Sequence, residues 1–296
     1  MAAAIDKHVY IALHEPFEDR IILKYAQTEH VTSVDDIRHP ILREAMRLLR
    51  PGGRLEIVSM SDIPAGSGLG SSGSFTTALL QGLHALTNTP AIPTMLAEEA
   101  CEIEIGRVGD PVGKQDQYIA AVGGITAFSI DRLGKVTVEP LRLSNDTVMA
   151  LQDNLLLFFT GLTRSAASLL GHQNEQTRRC DRAMIENLND IKRMGYEIRR
   201  ALETGDLRCF AELMDVHWQR KRVRSPNMTN PTIDRCYSVA RANGALGGKV
   251  VGAGGGGFLM VYAEEHERLR NAMATVGLRE VRVRFDFEGT KVVARS

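Results

Sequence analysis

The amino-acid sequence predicts an α+β fold, because segments with helical spacing of apolar residues are mixed with segments that alternate like strands. The chain has 296 residues, of which 44% are hydrophobic and 24% are charged, as is ordinary for a globular protein. This length suits one large domain or two modest ones. No internal repeat or low-complexity linker is visible, and we place a boundary between two domains, 1–160 and 161–296, near residue 160.

The first half of the chain combines strand-like alternation with helical spacing. The pattern predicts strands over 8–13 and 54–60 and helices over 41–49, 72–86 and 94–107. Pro51-Gly52-Gly53 ends the first helix, and a glycine-rich segment follows the second strand. That segment is therefore expected to lie between a strand and a helix.

The second half of the chain is predicted to return to strands after one long helix. The pattern predicts strands within 124–141, 155–159, 249–262 and 281–293, a turn at 131–134, and a helix over 173–202. One stripe of this helix is apolar, and we interpret it as an ordinary packing surface. Its residues are Met184, Leu188, Ile191, Ile198 and Leu202.

Charge and cysteine content exclude several classes of protein. Lys plus Arg equals Asp plus Glu at 36 each, which disfavours binding to nucleic acid or to anionic lipid. The cysteines, Cys101, Cys180, Cys209 and Cys236, have no metal-ligand spacing and are interpreted as reduced thiols. Neither a membrane-spanning apolar run nor a signal peptide is visible, so a cytoplasmic location is expected.

The glycine-rich segment from Pro64 to Gly73 is the strongest local signal in the sequence. Its alternating glycines permit positive φ angles, so that consecutive N–H groups can surround an anion at the N-terminus of the next helix. It is not a Walker A loop, because no Gly-Lys-Ser/Thr follows, and Ser71 stands where a Rossmann motif has its third glycine. The alternative is a flexible loop before a serine-capped helix. We interpret the segment as a phosphate-binding loop.

This loop resembles the ATP-binding motif Pro-x3-Gly-Leu-Gly-Ser-Ser of the GHMP kinases, the family of galactokinase, homoserine kinase, mevalonate kinase and phosphomevalonate kinase. The resemblance implies a two-lobed fold, in which an N-terminal domain like the second domain of ribosomal protein S5 precedes a ferredoxin-like C-terminal domain. It implies that Ser72 helps to hold Mg²⁺ and that the loop surrounds the phosphates of ATP. The implied nucleotide-binding residues are Pro64, Ala65, Gly66, Ser67, Gly68, Leu69, Gly70, Ser71 and Ser72.

A second polar segment, Gly113-Lys114-Gln115-Asp116-Gln117, follows the helix predicted over 94–107. Taken alone, an aspartate in such a segment is commonly a turn or cap residue. The segment is similar to the Gly-x-x-Asp of GHMP kinases, where the aspartate accepts the proton of the substrate hydroxyl. The resemblance therefore implies that Asp116 is the catalytic base, in a loop separate from the phosphate-binding loop.

Glu104 is singled out by its place on the predicted helix, where it shares an apolar face with Ala97, Ala100 and Cys101. A carboxylate buried there must pair with a cation, become protonated or bind a metal, because desolvation of a lone charge is costly. A salt bridge or a frayed helix end is the alternative to metal binding. GHMP kinases carry a magnesium-binding glutamate at this distance before their aspartate, so the resemblance implies that Glu104 and Ser72 bind Mg²⁺.

Another glycine-rich segment, residues 247–257, runs directly into the strand that ends at Tyr262. Glycines before a buried strand indicate either a bulged turn or a backbone that approaches something closely. The segment resembles the third GHMP motif, which packs the active site from the C-terminal domain. The phosphate-binding loop, the aspartate segment and this segment therefore occur in the order typical of the family.

Over nearly the whole chain the sequence is similar to bacterial D-glycero-D-manno-heptose 7-phosphate kinases, which phosphorylate the anomeric hydroxyl. The similar stretches are 4–7, 37–41, 102–105, 113–120, 244–249 and 285–289. These relatives also have an earlier strand and a Gly-Gly-Gly-Thr-Asp-like turn that contacts the sugar, and we expect this sequence to begin after them. A phosphorylated substrate needs cations, although each candidate is more often a solvated surface charge. The candidates are Lys7, Lys114, Arg164 and Lys221.

The resemblance implies an ATP- and Mg²⁺-dependent sugar kinase that acts on a small sugar or sugar phosphate for nucleotide-activated heptose synthesis. Another GHMP kinase, of the fucose or mevalonate type, is the nearest alternative, and a non-catalytic sensor of ATP or sugar is a second. The joint presence of Ser72, Glu104 and Asp116 argues against the sensor, because a binding module has little need for a metal site and a base. A nucleic-acid role is disfavoured by the balanced charge. The oligomeric state is left open, with a homodimer as one alternative.

Overall fold

The structure, a computed structural model, describes residues 1–163, 182–223 and 228–295. The chain forms two compact units. The N-terminal unit comprises Ala2–Pro64, Gly70–Ile125 and Asp286–Ser296, and the C-terminal unit comprises Met1, Ala65–Leu69 and Thr126–Phe285. The predicted boundary near residue 160 stays a prediction.

The N-terminal unit combines a small mixed sheet with four helices among its described residues. Its strands are β1 (Ala2–Ala3), β2 (Val9–His14), β3 (Ile21–Lys24), β4 (Thr28–Val31) and β5 (Leu55–Ser61). Its helices are α1 (Pro40–Leu49), α2 (Ser71–Leu86), α3 (Pro93–Cys101) and α4 (Gln115–Val122). The sheet has the order β2-β5-β3-β4, in which only the β3–β5 pair is parallel.

Helix α2 is the central packing element of the N-terminal unit. It lies against strand β2 and contacts α1, α3 and α4, and Leu79, Leu80 and Leu83 on it are fully buried. On the sheet, Leu23 and Ile57 are buried as well. Because α2 begins at Ser71, within the last residues of the phosphate-binding loop, this core fixes the position of those residues.

The C-terminal unit is built on an antiparallel sheet. Its strands are β6 (Ile125–Ile130, all but the first residue), β7 (Val136–Pro140), β8 (Leu155–Phe159), β9 (Ala245–Val250), β10 (Phe258–Ala263) and β11 (Arg279–Val281). Its described helices are α5 (Asn145–Asn154), α6 (Arg182–Glu203), α7 (Leu207–Arg222), α8 (Pro231–Ala242) and α9 (His266–Thr275). The main sheet has the order β11-β8-β10-β9, and β6 and β7 pair antiparallel in a different sheet.

Close packing of helix α7 on strand β9 organises the C-terminal unit. A Cβ atom on Gly247 would lie 1.8 Å from the carbonyl oxygen of Ala211, so only glycine permits this approach. Trp218 on α7 is fully buried in a core with Phe158 and Val261. Helix α7 therefore packs closely on strand β9.

The structure confirms most of the predicted elements and corrects two of them. The helix predicted over 94–107 is α-helical only to Cys101 and continues as a π-helical turn, Glu102–Arg107. The strand predicted over 281–293 is not formed: strand β11 covers only Arg279–Val281, and at 286–289 the Asp286 carboxylate instead accepts hydrogen bonds from the amides of Glu288 and Gly289 in a turn. The predicted helix over 173–202 is seen from Arg182, and its earlier residues lie outside the described ranges.

A membrane-spanning element was not expected from the sequence. In the ranges that the structure describes, no helix combines the length and the apolar character that crossing a membrane requires.

Buried Glu29 joins strand β4 to the segment that precedes α1. Its carboxylate accepts hydrogen bonds from the Tyr25 hydroxyl at 2.7 Å and from the amides of Arg38 and His39 at 2.7 and 3.2 Å. His39 in turn caps α1 through its ring nitrogen. Burial alone would raise the pKa of Glu29, but these hydrogen bonds outweigh it and leave the pKa lowered.

Replacing Glu29 with Gln is expected to lower the free energy of unfolding at pH 7 by about 1–3 kcal/mol, because the charged acceptor of two backbone amides and the Tyr25 hydroxyl is lost. A lowered pKa in the folded state stabilises the protein above the unfolded pKa of about 4.3, and this contribution disappears as the pH falls through the folded value. Urea unfolding at several pH values measures the difference between the two proteins. It should be present at pH 7 and shrink below about pH 4.

Glu15→Gln is the control for this comparison, because Glu15 is exposed. It should leave the free energy of unfolding within about 0.5 kcal/mol of the original. A Glu29→Gln protein as stable as this control at pH 7 would show that the buried network contributes nothing.

Candidate active site

The phosphate-binding loop has the backbone geometry that its glycines predict. Gly66, Gly68 and Gly70 have φ angles of 73°, 85° and 71°, which glycine adopts without strain. Helix α2 starts at Ser71, its N-cap is Gly70 rather than a serine, and no side chain caps it. Amides at the start of α2 are thus open to an anion, and the helix dipole favours negative charge there.

Residues 250–257 support the first half of the loop within the C-terminal unit. A Cβ atom on Gly257 would lie 2.0 Å from the carbonyl oxygen of Ser67, and one on Gly252 would lie 2.6 Å from that of Gly68. The Gly257 carbonyl also accepts hydrogen bonds from the amide and hydroxyl of Thr160, at 2.9 and 2.8 Å. The close approach expected for this glycine-rich segment is therefore confirmed, and its partner is the backbone of the phosphate-binding loop.

Asp116 lies against the second half of the loop within the N-terminal unit. The sequence predicted a loop position, but Asp116 occupies the first turn of α4, which packs on the start of α2. A Cβ atom on Gly70 would lie 3.3 Å from Asp116 Cγ, and one on Gly73 would lie 2.9 Å from its backbone carbon. Burial raises the pKa of Asp116, opposed by a hydrogen bond from the side chain of Gln115.

Glu104 is fully buried in the π-helical turn, as its apolar helix face predicted. The side chains of Ser72, Thr76 and Gln117 face its carboxylate, yet neither carboxylate oxygen has a hydrogen bond of normal geometry. Burial raises the pKa of Glu104, the three polar side chains oppose this rise, and nearby Asp110 adds to it. A fully buried carboxylate without a partner is costly unless a ligand completes its surroundings.

The donor set around Glu104 fits Mg²⁺. Mg²⁺ prefers oxygen ligands and is commonly held by one or two carboxylates together with phosphate oxygens, and here a carboxylate faces the Ser72 hydroxyl. Across the described ranges no group of three or more His, Cys, Asp or Glu side chains is suited to a metal. A magnesium site that phosphate oxygens complete needs fewer than three such side chains, so the lack of such a group is consistent with a site made by Glu104, Ser72 and phosphate.

Two family models match the chain. The GHMP kinases N-terminal domain matches residues 40–124, and the GHMP kinases C-terminal domain matches residues 198–277. This chain belongs to the GHMP kinase family. The matched ranges contain the loop residues 64–72, Glu104, Asp116 and the glycine-rich segment 247–257.

Relatives within the GHMP family act on different substrates. Over 69% of this chain, the sequence is 32% identical to D-glycero-alpha-D-manno-heptose 7-phosphate kinase of Campylobacter jejuni. Over 88% of this chain, it is 27% identical to mevalonate kinase of Methanothermobacter thermautotrophicus. Among solved structures, a D-glycero-D-manno-heptose 1-phosphate kinase from Bacteroides thetaiotaomicron has a TM-score of 0.77 at 24% identity, covering 99% of this chain and 90% of that one. The structural likeness shows the GHMP fold.

This chain spans very different shares of its relatives' lengths. The chain spans 60% of the Campylobacter heptose 7-phosphate kinase and 82% of the mevalonate kinase. It spans 20% and 23% of the bifunctional fucokinases from Arabidopsis thaliana and Bacteroides fragilis. The alignments thus relate this chain to the kinase family more firmly than to any one substrate.

Thr76 and Gln117, which lie beside Glu104, were not singled out from the sequence. Both are buried, and both face Glu104. A signal was present for each: Thr76 stands four residues after Ser72 on the same helix face, and Gln117 directly follows Asp116. The π-helical turn that carries Glu104 had no signal in the sequence, and such turns are frequent at functional sites.

The candidate cations for a substrate phosphate lie in different surroundings. Lys7 binds the carboxylate of neighbouring Asp6 at 2.8 Å, and Lys114 binds the Glu98 carboxylate at 2.9 Å. Lys221 is buried in the C-terminal unit and donates to backbone carbonyls. Arg164 lies outside the described residues. Their role toward a sugar phosphate stays a prediction.

Proposed function

We propose that this chain is an ATP- and Mg²⁺-dependent kinase that phosphorylates the anomeric hydroxyl of D-glycero-D-manno-heptose 7-phosphate. The observation that carries the proposal is the arrangement around the start of α2. Asp116 packs against Gly70 at the end of the phosphate-binding loop, and the unpaired carboxylate of Glu104 faces Ser72. A candidate base and a candidate metal site thus adjoin one anion-binding helix terminus.

In this proposal the loop residues 64–72 and the uncapped N-terminus of α2 bind the polyphosphate of ATP. Asp116 accepts the proton of the sugar hydroxyl while the hydroxyl oxygen attacks the γ-phosphorus. The bond between the γ-phosphorus and the bridging oxygen breaks, and ADP leaves with the electron pair. The raised pKa of Asp116 makes its ionised form a stronger proton acceptor than an ordinary aspartate.

Ser72 and Glu104 would hold Mg²⁺ by their hydroxyl and carboxylate oxygens. When bound, the ion neutralises negative charge on the phosphate oxygens during transfer. Thr76 and Gln117 face the same carboxylate and would help to orient it when the ion is bound. Together, the buried polar side chains limit the positions that the carboxylate can adopt, and accurate positioning is a large part of phosphoryl-transfer catalysis.

The heptose substrate is supported by similarity to the heptose 7-phosphate kinase, at 32% identity. Mevalonate and fucose are the competing acceptors, because kinases for both are relatives of this chain. A sensor without catalytic activity is the remaining alternative. The combination of Asp116, Ser72 and Glu104 favours catalysis over sensing.

A substrate panel tests the proposal. Among heptose 7-phosphate, the free heptose, fucose, galactose and mevalonate, the heptose 7-phosphate is expected to give the highest kcat/KM, by about tenfold or more over the free sugar, because charged hydrogen bonds to its phosphate add affinity. ADP release measures the rate, and phosphorus NMR of the product identifies the phosphorylated hydroxyl. Preference for mevalonate or for an unphosphorylated sugar would refute the substrate, and ATP binding without turnover of any acceptor would favour the sensor.

A further inference from the structure

Lys221 differs from its neighbours in the last turn of helix α7. This turn is basic, with Arg220, Lys221 and Arg222, but Lys221 is only 8% exposed whereas the side chain of Arg220 is 56% exposed. A lysine is rarely buried unless its ammonium is hydrogen-bonded, because desolvation of the charge is costly. The burial of Lys221 therefore calls for a structural or functional reason.

The ammonium of Lys221 binds the end of strand β9. It donates to the carbonyl oxygen of Val250 at 3.2 Å and to that of Gly252. These carbonyls lie where strand β9 ends, within the glycine-rich segment 247–257. Lys221 thus fixes the backbone direction of residues 250–252.

The segment that Lys221 holds is the one that supports the phosphate-binding loop. A Cβ atom on Gly68 would lie 2.9 Å from the carbonyl oxygen of Val251, and one on Gly252 would lie 2.6 Å from the carbonyl oxygen of Gly68. All of these residues belong to the C-terminal unit. A continuous series of contacts therefore runs from the Lys221 ammonium through Gly252 to Gly68.

We propose that Lys221 is a positioning residue for the nucleotide polyphosphate, and not a ligand of the sugar phosphate. It holds residues 250–252 against Gly68, and it places a buried positive charge next to the loop. A charge in a poorly solvated position acts more strongly on a nearby anion than an exposed charge does. This inference rests on the proposed function, because it assumes that the loop binds ATP.

Nucleotide binding by the full chain, measured by calorimetry, tests the inference. Lys221→Met keeps the length of the side chain but removes the charge and the donors. It should weaken ATP and ADP binding by about tenfold or more, because the support of residues 250–252 and the buried positive charge near the phosphates are both lost. Binding of adenosine, which has no phosphate, should change less than about threefold. Arg220→Met, the matched control on the exposed neighbour, should bind all three ligands like the original protein.

Equal weakening of ATP and adenosine binding by Lys221→Met would show a merely structural role and overturn the inference. Unchanged ATP binding would overturn it as well. Should Lys221→Met fail to fold, Lys221→Gln, which removes the charge but retains a donor for a carbonyl, tests the charge with the same three ligands: ATP and ADP binding should weaken more than adenosine binding. Failure of the original protein to bind ATP would refute the proposed function itself, whereas normal ATP binding by both proteins would refute only the role of Lys221.

Discussion

Replacing Asp116 with Asn is expected to lower kcat by about 10²–10⁴-fold, the usual contribution of a positioned general base. The substitution keeps the size of the side chain, so the packing of α4 on Gly70 and Gly73 should persist. ATP affinity should change little, because backbone amides and the helix terminus bind the phosphates. The residual rate can still be substantial, since phosphoryl transfer through a loose transition state depends strongly on positioning.

The pH dependence of kcat/KM for the acceptor gives an independent readout of Asp116, because kcat/KM reports groups of the enzyme before the acceptor binds. Burial raises the pKa of Asp116, so its basic form should develop at a higher pH than the ordinary value of about 3.9 for aspartate. For the original protein, kcat/KM is expected to rise with pH through this raised value and then to level off. In Asp116→Asn that rise should be absent. Steady-state rates with the acceptor well below its KM, between about pH 4 and 8, measure both profiles.

Asp36→Asn is the matched control, because Asp36 is exposed and lies in the same unit. Its kcat and pH profile should equal those of the original protein. If Asp116→Asn folds and binds ATP normally and keeps nearly full kcat, its carboxylate has only a structural role. The base would then have to be sought elsewhere.

Glu104→Gln is expected to weaken Mg²⁺ activation and at the same time to stabilise the fold. Loss of a ligand should raise the Mg²⁺ concentration for half-maximal rate by about 10- to 100-fold, since even mutation of residues that only hydrogen-bond to metal ligands lowers metal affinity by that factor. The free energy of unfolding without Mg²⁺ should rise by about 1–3 kcal/mol at pH 7, because an unpaired buried charge is removed. The new amide can also donate to Gln117 Oε1, which has no hydrogen bond of its own.

The sign of this stability change follows from the pKa of Glu104, which burial raises. The folded state then binds a proton more readily than the unfolded state does. Stability therefore falls as the pH rises from the unfolded value of about 4.3 through the folded one, and at higher pH the ionised group destabilises the fold. Glutamine does not titrate, so its advantage should appear above this range and vanish in more acidic solution.

Magnesium titration of the rate and thermal unfolding in a chelator measure the two effects of Glu104→Gln. Glu102→Gln is the control, because Glu102 stands in the same π-helical turn with its side chain 52% exposed, paired with Arg107. It should change neither property appreciably. An unaltered magnesium titration for Glu104→Gln would refute the role of Glu104 as a Mg²⁺ ligand. A lower unfolding temperature would contradict the claim that its buried, unpaired charge destabilises the fold.

The sequence by itself determined the glycine conformations of the loop, the approximate positions of helices α1, α2, α3 and α6, and the burial of Glu104. Positive φ angles at Gly66, Gly68 and Gly70 are a local requirement that glycine meets, so the loop could be read from the residues alone. The burial of Glu104 followed from helical periodicity, which places it with Ala97 and Ala100. Local rules of this kind need no knowledge of the rest of the chain.

Only the tertiary structure decided where several helices and strands begin and end and which side chains contact one another. Strands β3 and β4 were not predicted, because four-residue strands owe their stability to pairing rather than to their own sequence. The strand expected beyond Val281 gave way to the turn at Asp286, whose carboxylate binds nearby amides.

The same limit applied to the side chains of the site. Asp116 was expected in a loop but lies in the first turn of α4, where close packing against Gly70 and Gly73 places it. Lys221 was a candidate for a sugar phosphate or a solvated surface charge, and only the structure shows that it is buried and binds the carbonyls of Val250 and Gly252. These contacts join residues that are distant along the chain, and their free energy depends on burial and packing that exist only once the whole fold has formed.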